Sequence, residues 1–276
     1  MRLADSHIHL FPRGYSHDGA PALFGTGELA TYEALRAAHH IDCALVIGYE
    51  ADGIDPQNNA YIRRLGATHN WLRTLAYVDT HAGPTAEFIT DLLDQGHSGL
   101  AIYATDDAKA QALLGWPLNI WEVLRSHGAI VSLNARPGSI ALLRPVMEAA
   151  DGVPILLSHL GLPGPLPAGL DDAALRIRLA PLLSLARFDN VHVKISGLYA
   201  TSDPPFAYPH IAAGHCIRHI LSAYGCDRCL WGSDFSPALE FVSFPQTIHW
   251  EGAKRLKEKE KNMIMRENLF RILHCA

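Results

Sequence analysis

Apolar residues fall into short runs that return roughly every 30 residues, the size of one strand–helix unit. Runs at residues 3–10, 43–49, 72–78, 99–103, 129–134, 153–159, 191–197 and 228–235 have the length and composition of strands. Between them apolar residues recur at helical spacing. The predicted helices cover 28–39, 59–68, a stretch through Phe88, Leu92 and Leu93 with Pro84 in its first turn, 117–127, 140–150, 173–187 and 211–224. A last helix covers 252–273, and its mixed-sign run at 254–261 suits a solvated face. Strands alternating with helices call for a parallel sheet, and eight such units close into a (β/α)8 TIM barrel, expected as a single domain over 1–276. A doubly wound open sheet is the weaker alternative, because no glycine-rich phosphate loop follows the first run. Pro/Gly-rich stretches at 162–169 and 202–209 follow the sixth and seventh runs, where a barrel builds its pocket rim; plain surface loops are the other option.

Composition narrows the function classes. Of 276 residues, 49% are apolar and 18% charged, enough for a large core and too apolar for a disordered chain. The net charge of −5 offers no electrostatic footprint for nucleic acid or an anionic membrane. No run reaches membrane-spanning length, and Met1-Arg2-Leu3-Ala4-Asp5 lacks a signal peptide's apolar stretch, so a cytoplasmic protein is expected. The five cysteines (Cys43, Cys216, Cys226, Cys229, Cys275) are scattered and odd in number, which disfavours a disulfide framework. Sixteen histidines, an unusually high number, favour metal binding or proton transfer.

In a barrel, functional side chains come from the C-terminal ends of several strands. The first run ends in Asp5-Ser6-His7-Ile8-His9, the sixth in Ser158-His159-Leu160-Gly161 and the eighth in Trp231-Gly232-Ser233-Asp234-Phe235. Residues two apart on a strand share a face, so His7 and His9 point to the barrel axis together. With His159 and Asp234 they would form an N3O site suited to zinc or a similar divalent ion, leaving one position for water or substrate. The alternative is a set of barrel-mouth histidines satisfied by backbone carbonyls. Tyr49, Tyr103 and Asn134 end the second, fourth and fifth runs and are pocket candidates.

These blocks, together with Val193-Lys194-Ile195-Ser196-Gly197-Leu198 and Glu267-Asn268-Leu269-Phe270, resemble the amidohydrolase superfamily. More narrowly, they are similar to its amidohydrolase-2 branch of lactonases, over nearly the whole chain. The resemblance implies a (β/α)8 barrel that hydrolyses an ester, lactone or amide. It implies His7, His9 and His159 as the active-site histidines and Asp234 as the group that moves the proton. Lys194 matches a pocket lysine of less settled role. Some relatives hold one divalent metal, while the pyrone lactonase type works without one, its histidines polarising the carbonyl.

The chain departs from that type. Ala101 stands where many relatives place an arginine for a substrate carboxylate, and Gly48 where glutamine is common, which puts a dicarboxylate substrate in doubt. Arg136 is a candidate anion grip, or simply a surface arginine beside Pro137-Gly138. Cys226 and Cys229 form a lone CxxC, expected to pack as ordinary side chains. His215 and His219 share a helix face without the glutamate of a protease motif. His17 and His81 lie in loops that follow the first and third runs.

The preferred function is hydrolysis of a small cyclic ester, with the histidines stabilising oxyanion charge and Asp234 serving as general base. The alternatives are a metal-dependent decarboxylase or hydratase of the same superfamily, and a ligand-binding barrel without catalysis. The expected partner is a small-molecule substrate, with no nucleic acid and no membrane; self-association into a homo-oligomer stays open.

Overall fold

The computed structural model describes residues 1–16, 20–51, 54–167 and 169–274. Eight parallel strands follow one another around a sheet: β1 (Leu3–Ile8), β2 (Ile41–Ile47), β3 (Leu72–Tyr77), β4 (Gly99–Ala104), β5 (Ile130–Ala135), β6 (Ile155–Leu157), β7 (Val191–Ile195) and β8 (Cys229–Trp231). An isolated parallel bridge between Ile8 and Phe235 brings β8 back to β1 and nearly closes the barrel. The expected TIM barrel is the observed fold.

Strand alternation sorts the core into two layers. Ala4, Cys43, Leu45, Ile47, Leu75, Ala101, Ile130, Leu156 and Leu230 cluster inside the barrel. Their strand neighbours, such as Val46, Ala76, Ile102, Val131 and Val193, join the larger layer beneath the helices. Leu269 and Ile272 of the last helix pack with the inner cluster.

Helices Glu28–His39 and Ile211–Tyr224 match the periodic segments. Elsewhere the local chemistry redraws the boundaries. Pro84 precedes its helix, because Thr85 caps Ala86–Asp94 by accepting from Phe88 N–H. The 140–150 segment divides into Pro137–Leu142 and Arg144–Ala149, at a break marked by Pro145. Helix Asp107–Leu114, absent from the periodicity, starts where Asp106 accepts from Lys109 N–H. The 252–273 segment is also interrupted, with a 3-10 turn, a short α-helix, a π-turn at Met263–Glu267 and a last helix at Asn268–Ile272. Its charged residues Lys254, Arg255, Lys257, Glu258 and Lys259 are exposed, as a solvated face requires.

The sixth and eighth strands are shorter than their apolar runs and stop before the residues of chemical interest. His159 (φ 52°) and Asp234 (φ 58°) adopt left-handed backbone, which a strand cannot contain. Among the described residues no helix is long and apolar enough to cross a membrane. Cys43, Cys216, Cys226 and Cys229 are free thiols, with Cys229 buried in β8; Cys275 lies outside the described residues.

Candidate active site

The C-terminal end of the barrel gathers His7, His9, His159, Lys194 and Asp234, all buried. His7 Nε2 and His9 Nε2 lie 3.2 Å apart, and Asp234 Oδ1 sits 3.6 Å from the first and 4.0 Å from the second. The His7 and His159 ring centroids are 4.5 Å apart. Residues separated by more than 200 positions therefore share one small volume.

Asp234 is held from both sides. Its N–H donates to the His7 carbonyl (2.9 Å), and the following Phe235 carbonyl accepts from His9 N–H. On the side chain, Oδ1 faces His7 and His9, whereas Oδ2 accepts from the Tyr199 hydroxyl (3.0 Å) and lies 3.9 Å from His159 Nδ1. Asp5 acts as a strut beneath. Its Oδ1 accepts from His7 N–H (3.2 Å) and Ser233 N–H (2.8 Å), and its Oδ2 from the Tyr32 hydroxyl.

The imidazoles are oriented by their second nitrogens. His9 Nδ1 is 2.9 Å from the Ile47 carbonyl, which can only accept, so His9 donates there and turns a lone pair on Nε2 toward Asp234 and His7. His159 Nδ1 pairs with Ser196 Oγ at 3.1 Å. His7 Nδ1 lies 3.2 Å from Lys194 Nζ and 3.5 Å from Ser158 Oγ; Lys194 also donates to Ser132 Oγ at 2.7 Å.

Burial dominates the electrostatics. Desolvation lowers His7 well below its usual range, His9 to about 4 and His159 to about 3, with the Lys194 charge adding to each. These rings are therefore neutral near pH 7, and their contacts with Asp234 are not ion pairs. Burial also lowers Lys194 to about 7, against the pull of Asp234 and Asp5. It raises Asp234 to about 7, while the Tyr199 hydrogen bond and Lys194 pull the other way. A carboxyl poised near neutrality can take up and return a proton.

His7, His9 and Asp234 also form a candidate metal triad, their ligand atoms within 4.8 Å of one another. Bonds of 2.0–2.1 Å place tetrahedral ligands about 3.3 Å apart, close to the distances seen here. Neutral imidazoles beside a carboxylate are the donors such an ion needs, so the residues fit. His159 stands next to the triad without belonging to it.

Tyr103 and Asn134 lie on the inner wall, and the Tyr103 ring is 4.6 Å from Tyr49 and 5.9 Å from Tyr77. Arg136 is exposed and lines an outer groove with Arg178 and Leu162–Pro165, apart from the cluster. Ala101 is fully buried on β4. Gly48 admits no side chain on this backbone, because a Cβ would sit 2.7 Å from Asn59 Oδ1 and from the Leu75 carbonyl. His81 is exposed, His17 lies outside the described residues, and His219 bonds Asp172 on the surface. Cys226 is half-buried at the foot of β8.

Sequence reasoning did not single out Ser132, Ser158, Ser196, Tyr77 or Tyr199. Tyr77 closes β3 as Tyr49 follows β2, so the strand-end rule extends to it. Ser158 and Ser196 lie within motif blocks that assign them no role, Ser132 carries no motif, and only the closed barrel brings all three to the imidazoles.

The family model for amidohydrolases matches residues 4–273. No curated protein matches the chain. Among solved structures the chain is similar to an amidohydrolase from Burkholderia multivorans with bound HEPES, at TM-score 0.80 and 19% identity over 100% of both chains. A second structure of an amidohydrolase from that organism, with bound zinc, gives TM-score 0.78 at 19% identity, again over 100% of both chains. A probable 2-pyrone-4,6-dicarboxylic acid hydrolase from Acinetobacter baumannii gives 0.74 at 15% identity, over 99% of this chain and 100% of that one. A 2,6-dihydroxybenzoate decarboxylase from Rhizobium gives 0.64 at 13% identity, over 99% and 98%. At these identities the likeness concerns the fold alone.

Proposed function

The chain belongs to the amidohydrolase family, and from that premise we propose that it hydrolyses a small cyclic ester, a lactone, at the His7–His9–His159–Asp234 centre. The observation that carries this is the placement of Asp234, a buried carboxyl with one oxygen toward the histidine pair and the other on the Tyr199 hydroxyl. One divalent ion, zinc in the first instance, would be held by His7, His9 and Asp234 and would supply Lewis acidity to the substrate carbonyl.

The residues divide the remaining work. Asp234 accepts a proton from the attacking water and returns it to the leaving alkoxide. His159, fixed by Ser196, stands 3.9 Å from Asp234 Oδ2, where it can hydrogen-bond the oxygen that gains charge. Tyr199 orients the carboxylate and favours its ionised form. Lys194 and Ser158 aim His7 from behind.

A lactone panel scored by acid release, with and without a chelator, tests the assignment. Wild-type protein should open a lactone, Asp234→Asn should be folded and inactive, and chelation should remove activity that added zinc restores. Loss of CO2 from hydroxylated benzoates without acid release from any lactone would favour the decarboxylase reading, which the shared fold of the Rhizobium enzyme supports.

A further inference from the structure

Two polar atoms on the inner wall have no partner among the described residues: the Tyr103 hydroxyl and Asn134 Oδ1, both buried. Tyr103 and Asn134 are register partners on β4 and β5, so their side chains leave the sheet together on one face. Folded proteins leave few buried donors and acceptors unpaired, because the desolvation is not recovered. A phenol O–H and an amide oxygen on one face offer a donor and an acceptor, together the complement of one hydroxyl group, which accepts from the first and donates to the second.

Aromatic rings wall this pair. Tyr49, Tyr77 and Tyr103 meet at interplanar angles of 57°, 51° and 73°, forming a tilted, edge-on corner and not a parallel stack. Such a corner suits a flat ring as partner. The corner is anchored through the backbone. Asn59 accepts from Tyr77 N–H (2.7 Å) and donates to the Tyr77 carbonyl (2.9 Å), in the space that Gly48 leaves. It also faces the reacting centre, since β4 and β5 lie across the barrel from β1 and β8 and the Asp234 charge acts on the Tyr103 phenol.

The corner itself holds little positive charge: the groups that act on the Tyr103 phenol are Tyr49, Asp234, Tyr77 and Tyr15, with no cation among the described residues. At the centre, Lys194 is the side-chain cation that acts on His7, His9, His159 and Asp234 among the described residues. Position 101, one inward step before Tyr103, is alanine. A substrate carboxylate here would face phenols, an amide oxygen and Asp234, and burying a charge without a counter-charge is costly.

We propose that Tyr49, Tyr77, Tyr103 and Asn134 form a recognition corner for an uncharged, planar cyclic ester that carries a hydroxyl on the ring edge remote from its carbonyl. The substrate class rests on the hydrolase assignment above; the corner itself does not. Three matched lactones test it: 3,4-dihydrocoumarin, a ring-hydroxylated derivative and a ring-carboxylated derivative. The hydroxylated compound should show kcat/KM about 30-fold above the parent, the worth of two net hydrogen bonds at about fivefold each, and the carboxylated one the lowest value. Tyr103→Phe and Asn134→Leu should each lower the hydroxylated substrate about fivefold more than the parent. Preference for the carboxylated compound, or equal losses on all three, overturns the proposal. Equilibrium binding of the matching 2-tetralones, ketones in which a methylene replaces the ring oxygen and hydrolysis is impossible, reads the corner without turnover. If no lactone is opened yet the hydroxylated tetralone binds about tenfold tighter than the carboxylated one, and Tyr103→Phe removes the difference, the corner stands and the hydrolase assignment fails. Absence of any binding preference overturns the corner whatever the turnover.

Discussion

Gly197 tests the site without touching a reacting group. It follows β7 with φ +58°, and a Cβ built on it would lie 2.4 Å from His159 Nδ1 and 2.8 Å from its Cγ. Ordinary contact needs 3.4 Å or more, so Gly197→Ala requires the imidazole to retreat by roughly 1 Å. That is a third of the 3.1 Å bond to Ser196 that aims the ring. A misplacement of about 1 Å in a catalytic group costs on the order of 10²-fold in rate. Stability falls as well, by about 1–2 kcal/mol for the left-handed alanine and about 1–3 kcal/mol for the collision. Gly83→Ala separates the two effects, because Gly83 has nearly the same φ (+55°) and nothing within 4 Å of its added Cβ. It should lose only the backbone share, about 1–2 kcal/mol, and keep full activity. Urea midpoints and kcat on the same preparations supply both numbers. Should Gly197→Ala work within threefold of wild type, or Gly83→Ala lose as much activity, His159 would not depend on this clearance.

Two other variants probe separate parts of the centre, and a third probes stability away from it. Tyr199→Phe removes a hydrogen bond that favours ionised Asp234, so the carboxyl pKa rises and the acid limb of the kcat/KM profile moves to higher pH; an unmoved limb would remove Tyr199 from the proton path. Lys194→Met deletes a desolvated amine and its bonds to His7 and Ser132. The fold should survive, while zinc affinity against a competing chelator should fall about 10–100-fold, as for other residues that orient metal ligands; unchanged affinity would argue against a bound ion at His7. His97, distant in sequence from the site, is buried against Thr74 and lowered by desolvation to about 4. Its unfolded form binds a proton from about pH 6.5 downward and its folded form only near 4, so stability falls on acidification across that window, by at most about 3 kcal/mol. His97→Gln should flatten that part of the urea-midpoint curve between pH 7 and 4, and an identical slope would reject the assignment.

The barrel was legible because its signals are local. Short apolar runs such as 43–49 and 72–78, and helical spacing in 28–39 and 211–224, depend on neighbours in the chain, and eight repeats leave few closed topologies. The pair His7 and His9 could be read for the same reason, since two residues apart on a strand means one face. Left-handed backbone at His159 and Asp234 is uncommon even for residue types that tolerate it, and no pattern of apolar positions signals it, so β6 and β8 end sooner than their apolar runs. Only closure decides which polar groups meet, as when Lys194 reaches His7 from 187 residues away or Ser196 aims His159. Closure also leaves Arg136 outside the cluster and brings Tyr77 into the wall beside Tyr103. Periodicity specifies the direction in which a side chain leaves its strand. The partner it finds, and the proton affinity that burial then confers, belong to the assembled barrel.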